Sequence, residues 1–427
     1  MKPRVLILGA GFAGLEAAKR LADKPADVTI IDRQNHHLFQ PLLYQVATSG
    51  LSATEICQPI RSVFADAPNI RVVMDEVTGI DLDGRTVTAR GGSHAFDYLI
   101  VALGCRTSWF GNDEWERHAP GLKTIGDALA IRSRLLRAFE SAETSLDEPA
   151  RARLMTIVIV GGGPTGVELA GACAELARHV LRRDFRNIDP RQTRVLLIEA
   201  MDRILPQLPA RLGQEAAREL EQLGVEVRTG TRVRSVDAEG VTLDDGEPIP
   251  SGNVVWAAGV QGSPIGRLLG AETDRAGRVK VLDDLSLAGH RNVFVLGDLA
   301  VVSTPDGQPV PGVAPAAMQM GRYAGALIAR EVTRSEPGDR RAFRYIDKGS
   351  MATIGRSAAV AKIGPLEFGG FPAWLAWMFI HLLFLVGFRN KLAVLLQWIY
   401  AYFAYRRGAR VILPSPAEST PAPRPVG

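Results

Sequence analysis

"RVLILGAGFAGLEAAKRLA", residues 4–22, is a short apolar run, a glycine-rich turn and then a helical pattern. Its glycines are Gly9, Gly11 and Gly14. "VTIIDR", residues 28–33, follows and places Asp32 at a strand end, eighteen residues after Gly14. Strand, glycine turn, helix and acid in this order form a dinucleotide fingerprint. The glycines let backbone approach a pyrophosphate, the helix N-terminus stabilises the anion, and the acid accepts hydrogen bonds from ribose hydroxyls.

The pattern recurs. "LMTIVIVGGGPTGVELAGACAELA", residues 154–177, offers Gly161, Gly163 and Gly166 after a second strand. "TRVLLIEAMDRILP", residues 193–206, then brings Glu199 to a strand end. That acid lies farther from its glycines than the usual spacing of about 20 residues. "RHVLRRDFRNIDPRQ", residues 178–192, accounts for the difference as a longer helix plus a loop.

Two such units call for two dinucleotides, and the common pairing is a resident flavin dinucleotide with an exchanging nicotinamide dinucleotide. "VFVLGDLA", residues 293–300, places Asp298 just after a strand, where a carboxylate serves the flavin. "LIVALGCRT" (99–107) and "VVWAAGVQGSP" (254–264) are strands ending in small-residue turns. The expected fold class is α/β, with two Rossmann-like domains, one inserted in the other, and a C-terminal helical segment. The flavin domain is drawn at 1–150 and 283–364 and the nicotinamide domain at 151–282. The C-terminal helices take 365–413, and a Pro-rich, disordered tail takes 414–427. "SLDEPARAR", residues 145–153, is expected to be the first linker.

Bulk properties narrow the function. With 427 residues there is room for two or three domains. A net charge of +4 without a continuous basic block speaks against a general nucleic-acid binder. Cys57, Cys105 and Cys173 are odd in number and far apart, which suits a reducing compartment and not a disulfide framework. The seven histidines and three cysteines show no metal-ligand spacing, so no metal is expected. With a strand starting at Arg4 and no signal peptide before it, the enzyme part is expected in the cytosol.

"HHLFQPLLYQVATSGLSATEI" (36–56), "GGGPTGVELAG" (161–171), "VPGVAPAAMQMGRYAG" (310–325) and "FRYIDKGSMATIGRSAAV" (343–360) are more specific than the glycine motifs. With the aromatic C-terminal segment, they make the chain resemble the type II NADH dehydrogenases over nearly its whole length. These are single-subunit, non-pumping NADH:quinone oxidoreductases. The resemblance implies FAD, NADH and a membrane quinone. It implies a protein peripheral to the cytoplasmic side of the inner membrane, with a homodimer left open. It makes Glu168 the candidate for positioning the nicotinamide or relaying protons. Gln319 is expected at the quinone end of the flavin; Pro315 stands where many members carry a first glutamine, so that residue's role does not transfer. Thr48 and Gly50 are expected to touch the flavin or shape the quinone slot. Sulfide as donor needs paired cysteines beside the flavin, and no cysteine follows Cys173. A tethered NADH-responsive regulator with slow turnover is the other alternative.

"FPAWLAWMFIHLLFLVGF", residues 371–388, completes the reading. Eighteen residues is the lower edge of a membrane span. Arg389, Asn390 and Lys391 interrupt, Leu392–Tyr405 resumes, and Arg406, Arg407 and Arg410 follow. Aromatics with flanking arginines suit a pair of segments lying on a bilayer surface. His381 is expected to be a hydrogen-bonded structural histidine at least as much as a proton relay.

Overall fold

The computed structural model describes residues 2–304, 307–334, 339–404 and 408–412. Tyr405, Arg406, Arg407 and the expected tail 414–427 lie outside the described residues. The chain forms two compact units: 1–38, 57–108 and 259–349 make the first, and 39–56, 109–258 and 350–427 the second. Of the stretch 151–282, residues 151–258 belong to the second unit and 259–282 to the first.

The first unit is built on a six-stranded sheet in the order Ser286–Leu287, His290–Val295, Tyr98–Val101, Arg4–Leu8, Asp27–Asp32, Ile70–Met74. Four of its five pairings are parallel, with Val5 opposite both Val28 and Tyr98. Leu6, Ile7, Leu8, Ile30 and Ile31 are fully buried, which is why these strands read as continuous apolar runs and do not alternate. The helix Phe12–Leu21 packs against the long helix Ala314–Arg334. Glycines set the distance of approach. A Cβ on Gly321 would sit 2.2 Å from the Ala13 carbonyl oxygen, and one on Gly325 2.6 Å from that of Ala17. An ion pair completes the contact, Arg322 Nε to Glu16 Oε2 at 2.5 Å.

The second unit repeats the plan with four parallel strands in the order Val225–Arg228, Arg194–Ile198, Thr156–Val160, Asn253–Trp256. Its helix Pro164–Glu175 runs on through a π turn, Leu176–Val180, before the loop to Arg194. A three-stranded antiparallel sheet, Ser350–Ile354, Ala358–Ile363 and Leu366–Gly369, lies against that helix and carries the C-terminal helices.

Two local readings change. The expected linker contains a short helix, Glu148–Leu154, because Asp147 caps it by accepting from Ala150 N, and Pro149 fits its first turn. The apolar stretch 371–388 is not one segment. The first helix is Gly370–Phe384 and the second Phe388–Ala404, so Arg389–Lys391 opens a helix instead of breaking one. The break is at Gly387, whose φ of +89° only glycine adopts without strain. Among the described residues, no helix is long and apolar enough to cross a membrane.

The helix contact yields a test. Gly321→Ala should lower the thermal unfolding temperature, with a loss of about 1–3 kcal/mol, because its Cβ meets backbone and not a movable side chain. An unchanged melting curve would mean that the two helices do not need this close approach.

Candidate functional site

The two glycine turns are duplicates down to single hydrogen bonds. In the first unit Ala10 N donates to Asp32 Oδ2 at 2.7 Å, and Gln34 N to Asp32 Oδ1 at 2.8 Å. In the second, Gly162 N donates to Glu199 Oε2 at 2.5 Å, and Met201 N to Glu199 Oε1 at 2.8 Å. Each acid thus holds the middle of its glycine loop and keeps lone pairs for further donors. Burial raises the Asp32 carboxyl above its usual range, against the two amide hydrogen bonds that favour its charge.

The three glycines of each motif do the same three jobs. Gly9 and Gly161 have φ of +93° and +113°, and a Cβ there would strike the next strand's turn, 2.5 Å from Ala102 O and 2.7 Å from Ala258 N. Gly14 and Gly166 let helix close on loop, since a Cβ would lie 1.9 and 1.8 Å from the carbonyls of Gly9 and Gly161. Gly11 and Gly163 face open space, with nothing within 4 Å of an added Cβ. Both are helix N-caps without a side-chain cap, and neither helix has an acid in its first turn. Uncapped amides beside an open cradle fit a pyrophosphate.

Three more residues belong to the first cradle. His37 is buried, its Nδ1–H donates to the Ala10 carbonyl at 2.9 Å, and burial lowers its pKa to about 4, so the ring is neutral. Asp298 follows Gly297, whose φ is +70° and whose open side touches Ala13 and Ala317. The Cys105 thiol donates to the Asp298 carbonyl oxygen at 3.0 Å. Gln319 does something the sequence did not announce. Its amide clasps the backbone of Ile346 from both ends, Nε2 to Ile346 O and Ile346 N to Oε1, each at 2.9 Å. Burial pushes the Cys57 thiol up to about 12, out of the range of thiolate chemistry.

The second unit contains a pocket with Glu168 at its buried end. Thr48 and Gly50 line it, as do Tyr44, Gln45, Thr353 and four aromatic residues of the C-terminal helices: Trp374, Trp377, Trp398 and Tyr402. Thr48 is fully buried and donates to the Tyr44 carbonyl at 2.9 Å. Ser49 next to it has φ of +62° and a buried hydroxyl without a partner, a strained corner in the pocket wall. Trp398 Nε1 donates to Gln45 Oε1 at 2.8 Å and ties the last helix to that wall.

Burial pushes the Glu168 carboxyl up to about 8 from the ordinary 4.5; the Thr353 amide, at 3.4 Å, and the nearby Trp377 indole offset this only in part. The Trp377 Nε1 is itself buried without a well-formed hydrogen bond. His381 stacks on the Trp377 ring, centroids 4.1 Å apart, and its Nδ1–H donates to the Trp377 carbonyl at 2.7 Å. Burial lowers its pKa to about 4, so it is a neutral brace for Trp377.

The structure thus groups Gly9, Gly11, Gly14 and Asp32 in one cradle, with Asp298 following the Gly297 that approaches Ala13 of the cradle's helix, Gly161, Gly163, Gly166 and Glu199 in a second, and Thr48 with Glu168 in the pocket. Gln319 belongs to the first unit but is turned to Ile346. Tyr44, Gln45, Trp377 and Trp398 are pocket residues that sequence reading missed. The first two stand in the family-specific stretch 36–56, which was a usable signal; the tryptophans were read as surface anchors.

Known proteins resemble this chain in sequence and in fold. Residues 3–321 match the pyridine nucleotide-disulphide oxidoreductase family and residues 348–407 the NDH2 C-terminal domain. The chain is 48% identical over 421 residues to the type II NADH:quinone oxidoreductase Ndh of Mycobacterium tuberculosis, covering 96% of this chain and 90% of that one. It is 30% identical over 446 residues to the internal alternative NAD(P)H-ubiquinone oxidoreductase A1 of Arabidopsis thaliana, covering 96% and 86%. The fold matches NDH2 of Plasmodium falciparum, solved in complex with NADH, at a TM-score of 0.88 and 18% identity, over 97% of this chain and all of that one. The chain belongs to the type II NADH:quinone oxidoreductases, on an α/β pyridine nucleotide-disulphide oxidoreductase fold with added C-terminal helices.

Proposed function

We propose that this chain oxidises NADH and reduces a membrane quinone, with FAD in the Gly9–Asp32 cradle, NADH at the Gly161–Glu199 cradle and the quinone head in the Glu168 pocket. The observation that carries the reading is the duplication of an uncapped, acid-tethered glycine cradle in one chain that also holds a pocket of tryptophans around a buried carboxyl. The net reaction is NADH + H⁺ + quinone → NAD⁺ + quinol, without proton pumping. Bound FAD supplies the chemistry, taking an electron pair from NADH and giving it to the quinone. The residues of the chain do the rest. Gly11 and Gly163 leave room for a pyrophosphate, and the amides of each first helical turn bind it. Asp298 stands at the foot of the first cradle, which favours the flavin there. With its carboxyl pushed up to about 8, Glu168 holds a proton at neutral pH and can donate it to a quinone oxygen. The tryptophans exclude water and offer flat apolar faces to a planar ring.

The outer faces of the C-terminal helices support membrane residence. Phe379 is 67% exposed, Phe388 82% and Phe403 80%, and Leu375, Leu383, Leu392 and Leu396 extend the patch. The first helix is apolar all round, so burying Ala373 and Trp377 still leaves a greasy face. Such a surface suits the cytoplasmic side of the inner membrane, where a long-chain quinone can reach the pocket without leaving lipid.

The direct test is to purify the protein, record its flavin spectrum and follow NADH oxidation with a short-chain quinone. A protein without flavin, or one that reduces ferricyanide but never quinone, would sink the reading.

Cofactor choice is checked at Glu199. It should accept from the ribose diol and repel a 2′-phosphate. Arg203 does not offset it, because its guanidinium donates to the carbonyls of Pro206 and Leu208. Glu199→Ser should improve NADPH use relative to NADH; an unchanged ratio would remove Glu199 from the ribose site.

Membrane release is checked on exposed residues alone. Replacing Phe379, Leu383, Phe388 and Leu396 by Ser removes roughly 1.5–3 kcal/mol of apolar transfer per side chain at most. The quadruple variant should leave vesicles and keep NADH:ferricyanide activity. Continued sedimentation with vesicles would place the anchor elsewhere.

Glu168 carries a pH signature. Its folded-state pKa lies above the unfolded value of 4.5, so the folded form binds more protons between pH 4.5 and about 8. The stability this contributes is full below 4.5 and is lost as pH rises to about 8. Glu168→Gln should therefore narrow the drop in melting temperature between pH 6 and pH 9. An equal drop in both proteins would show that Glu168 is not a desolvated acid.

A further inference from the structure

The geometry points to a proton entry path along one face of the helix Pro164–Glu175 and its π turn, from His179 at the surface through Glu175 to Glu168, across a gap left by Ala172. It rests on the reading of this pocket as the quinone site. Glu168, Ala172, Glu175 and His179 all line the pocket, at steps of four, three and four residues. Burial falls along the row: Glu168 is buried, Glu175 half-buried and His179 exposed. Glu168 and Glu175 are two turns apart, about 10 Å along the axis, too far for direct transfer. Between them stands alanine, the small side chain that leaves room for water. His179 sits in the π turn Leu176–Val180, a distortion that recurs at functional sites.

Glu175 is held in place, since its Oε1 accepts from Arg356 N at 2.5 Å. The other ionisable side chains lining the pocket are Arg356, Tyr44 and Tyr402. The Arg356 guanidinium lies over the Tyr402 ring at 4.7 Å and donates to the Tyr402 carbonyl. The two carboxyls and the imidazole are the side chains of the row whose oxygen and nitrogen atoms can take up and release a proton.

The step balances. As the electron pair from NADH reaches the quinone, the O–H bond of Glu168 breaks and an O–H bond forms on a quinone oxygen. The Glu168 carboxylate then regains a proton from water in the gap, supplied by Glu175 and His179. The hydride already carries one hydrogen nucleus, so one proton per turnover comes from solvent.

The experiment uses full-length, flavin-loaded enzyme and three variants, Glu175→Gln, His179→Gln and Ala172→Val, beside Glu168→Gln. Gln at 175 keeps an acceptor for Arg356 N, and His179 is exposed, so folding is not at stake in that pair. Enzyme pre-reduced with NADH is mixed rapidly with short-chain quinone, in H₂O and D₂O, across pH 6–9. Ferricyanide, which takes electrons without protons, is the control acceptor. The path predicts that quinone reduction slows about a hundredfold, the lower end of what a positioned proton donor contributes. The solvent isotope effect should rise and the pH profile shift, while flavin reduction by NADH and ferricyanide turnover hold. Added imidazole should restore much of the His179→Gln rate. If Glu168→Gln slows quinone reduction but the 175 and 179 variants keep wild-type rates and isotope effects, the path is wrong and the quinone pocket stands. If Glu168→Gln also leaves quinone reduction untouched, the pocket reading itself fails. Parallel loss with ferricyanide would make these residues structural and overturn the path.

Discussion

One hydrogen bond, made twice, holds the two binding cradles in shape. A backbone N–H in the middle of a glycine loop donates to a carboxylate at the end of the neighbouring strand, Ala10 to Asp32 and Gly162 to Glu199. The bond fixes the loop against the sheet without using any side chain of the loop. The loop can then be all backbone, and the following helix starts without a cap. A side-chain cap would satisfy the first-turn amides internally and remove the anion site. The cost is a helix end with unsatisfied donors, which the proposed binding of a phosphate there would offset. Sequence distance is irrelevant to this bond. The two acids lie 22 and 37 residues after their donors, yet both sit on the strand paired with the loop's own.

That locality is why so much of the fold was legible. Gly9–Asp32 and Gly161–Glu199 are single βαβ units whose residue types are demanded by backbone geometry, so spacing and chemistry coincide. The pocket is another kind of object. Thr48, Glu168 and the Thr353–Trp377 stretch are each separated by more than a hundred residues in sequence, and only tertiary packing brings them together. Trp377 shows the limit most clearly. On a helix that is apolar all round, periodicity carries no information about which face turns inward. The break at Gly387 was missed for the same reason: an unbroken hydrophobic run hides a turn that depends on one backbone angle. Gln319 stands between these cases, a residue flagged by family pattern whose polar ends are both engaged with Ile346.

Glu168 is where folding and chemistry oppose each other. A carboxyl in a pocket of tryptophans lacks the partners that would make its charge cheap, so it stays protonated to about pH 8. A lysine or arginine beside it would restore the ordinary pKa and relieve the cost. It would also fix the carboxylate as an anion with no proton to give. The pocket instead offers one long amide contact and an indole edge, enough to orient the group and too little to ionise it. Glutamine at this position would satisfy packing equally well, so packing alone does not explain an acid here.

The C-terminal helices apply the same economy to two tasks at once. Their inner faces present Trp377 and Trp398 to the pocket, braced by His381 and Gln45. Their outer faces carry exposed phenylalanines and leucines that no described part of the chain covers. In the proposed reading one task needs aromatic residues fixed in place, and the other needs apolar residues free to meet lipid. Because both need hydrophobicity, the first helix has almost no polar side, and its orientation is set by the small Ala373 and the hydrogen-bonded Trp377–His381 pair instead. A quinone with an apolar tail would then remain in contact with one surface, first lipid and then tryptophan, from bilayer to pocket. The proton it needs is not soluble in that surface. It must arrive along polar groups, and His179 and Glu175, on the helix Pro164–Glu175 and its extension, bring such groups to the same pocket that the apolar helices line.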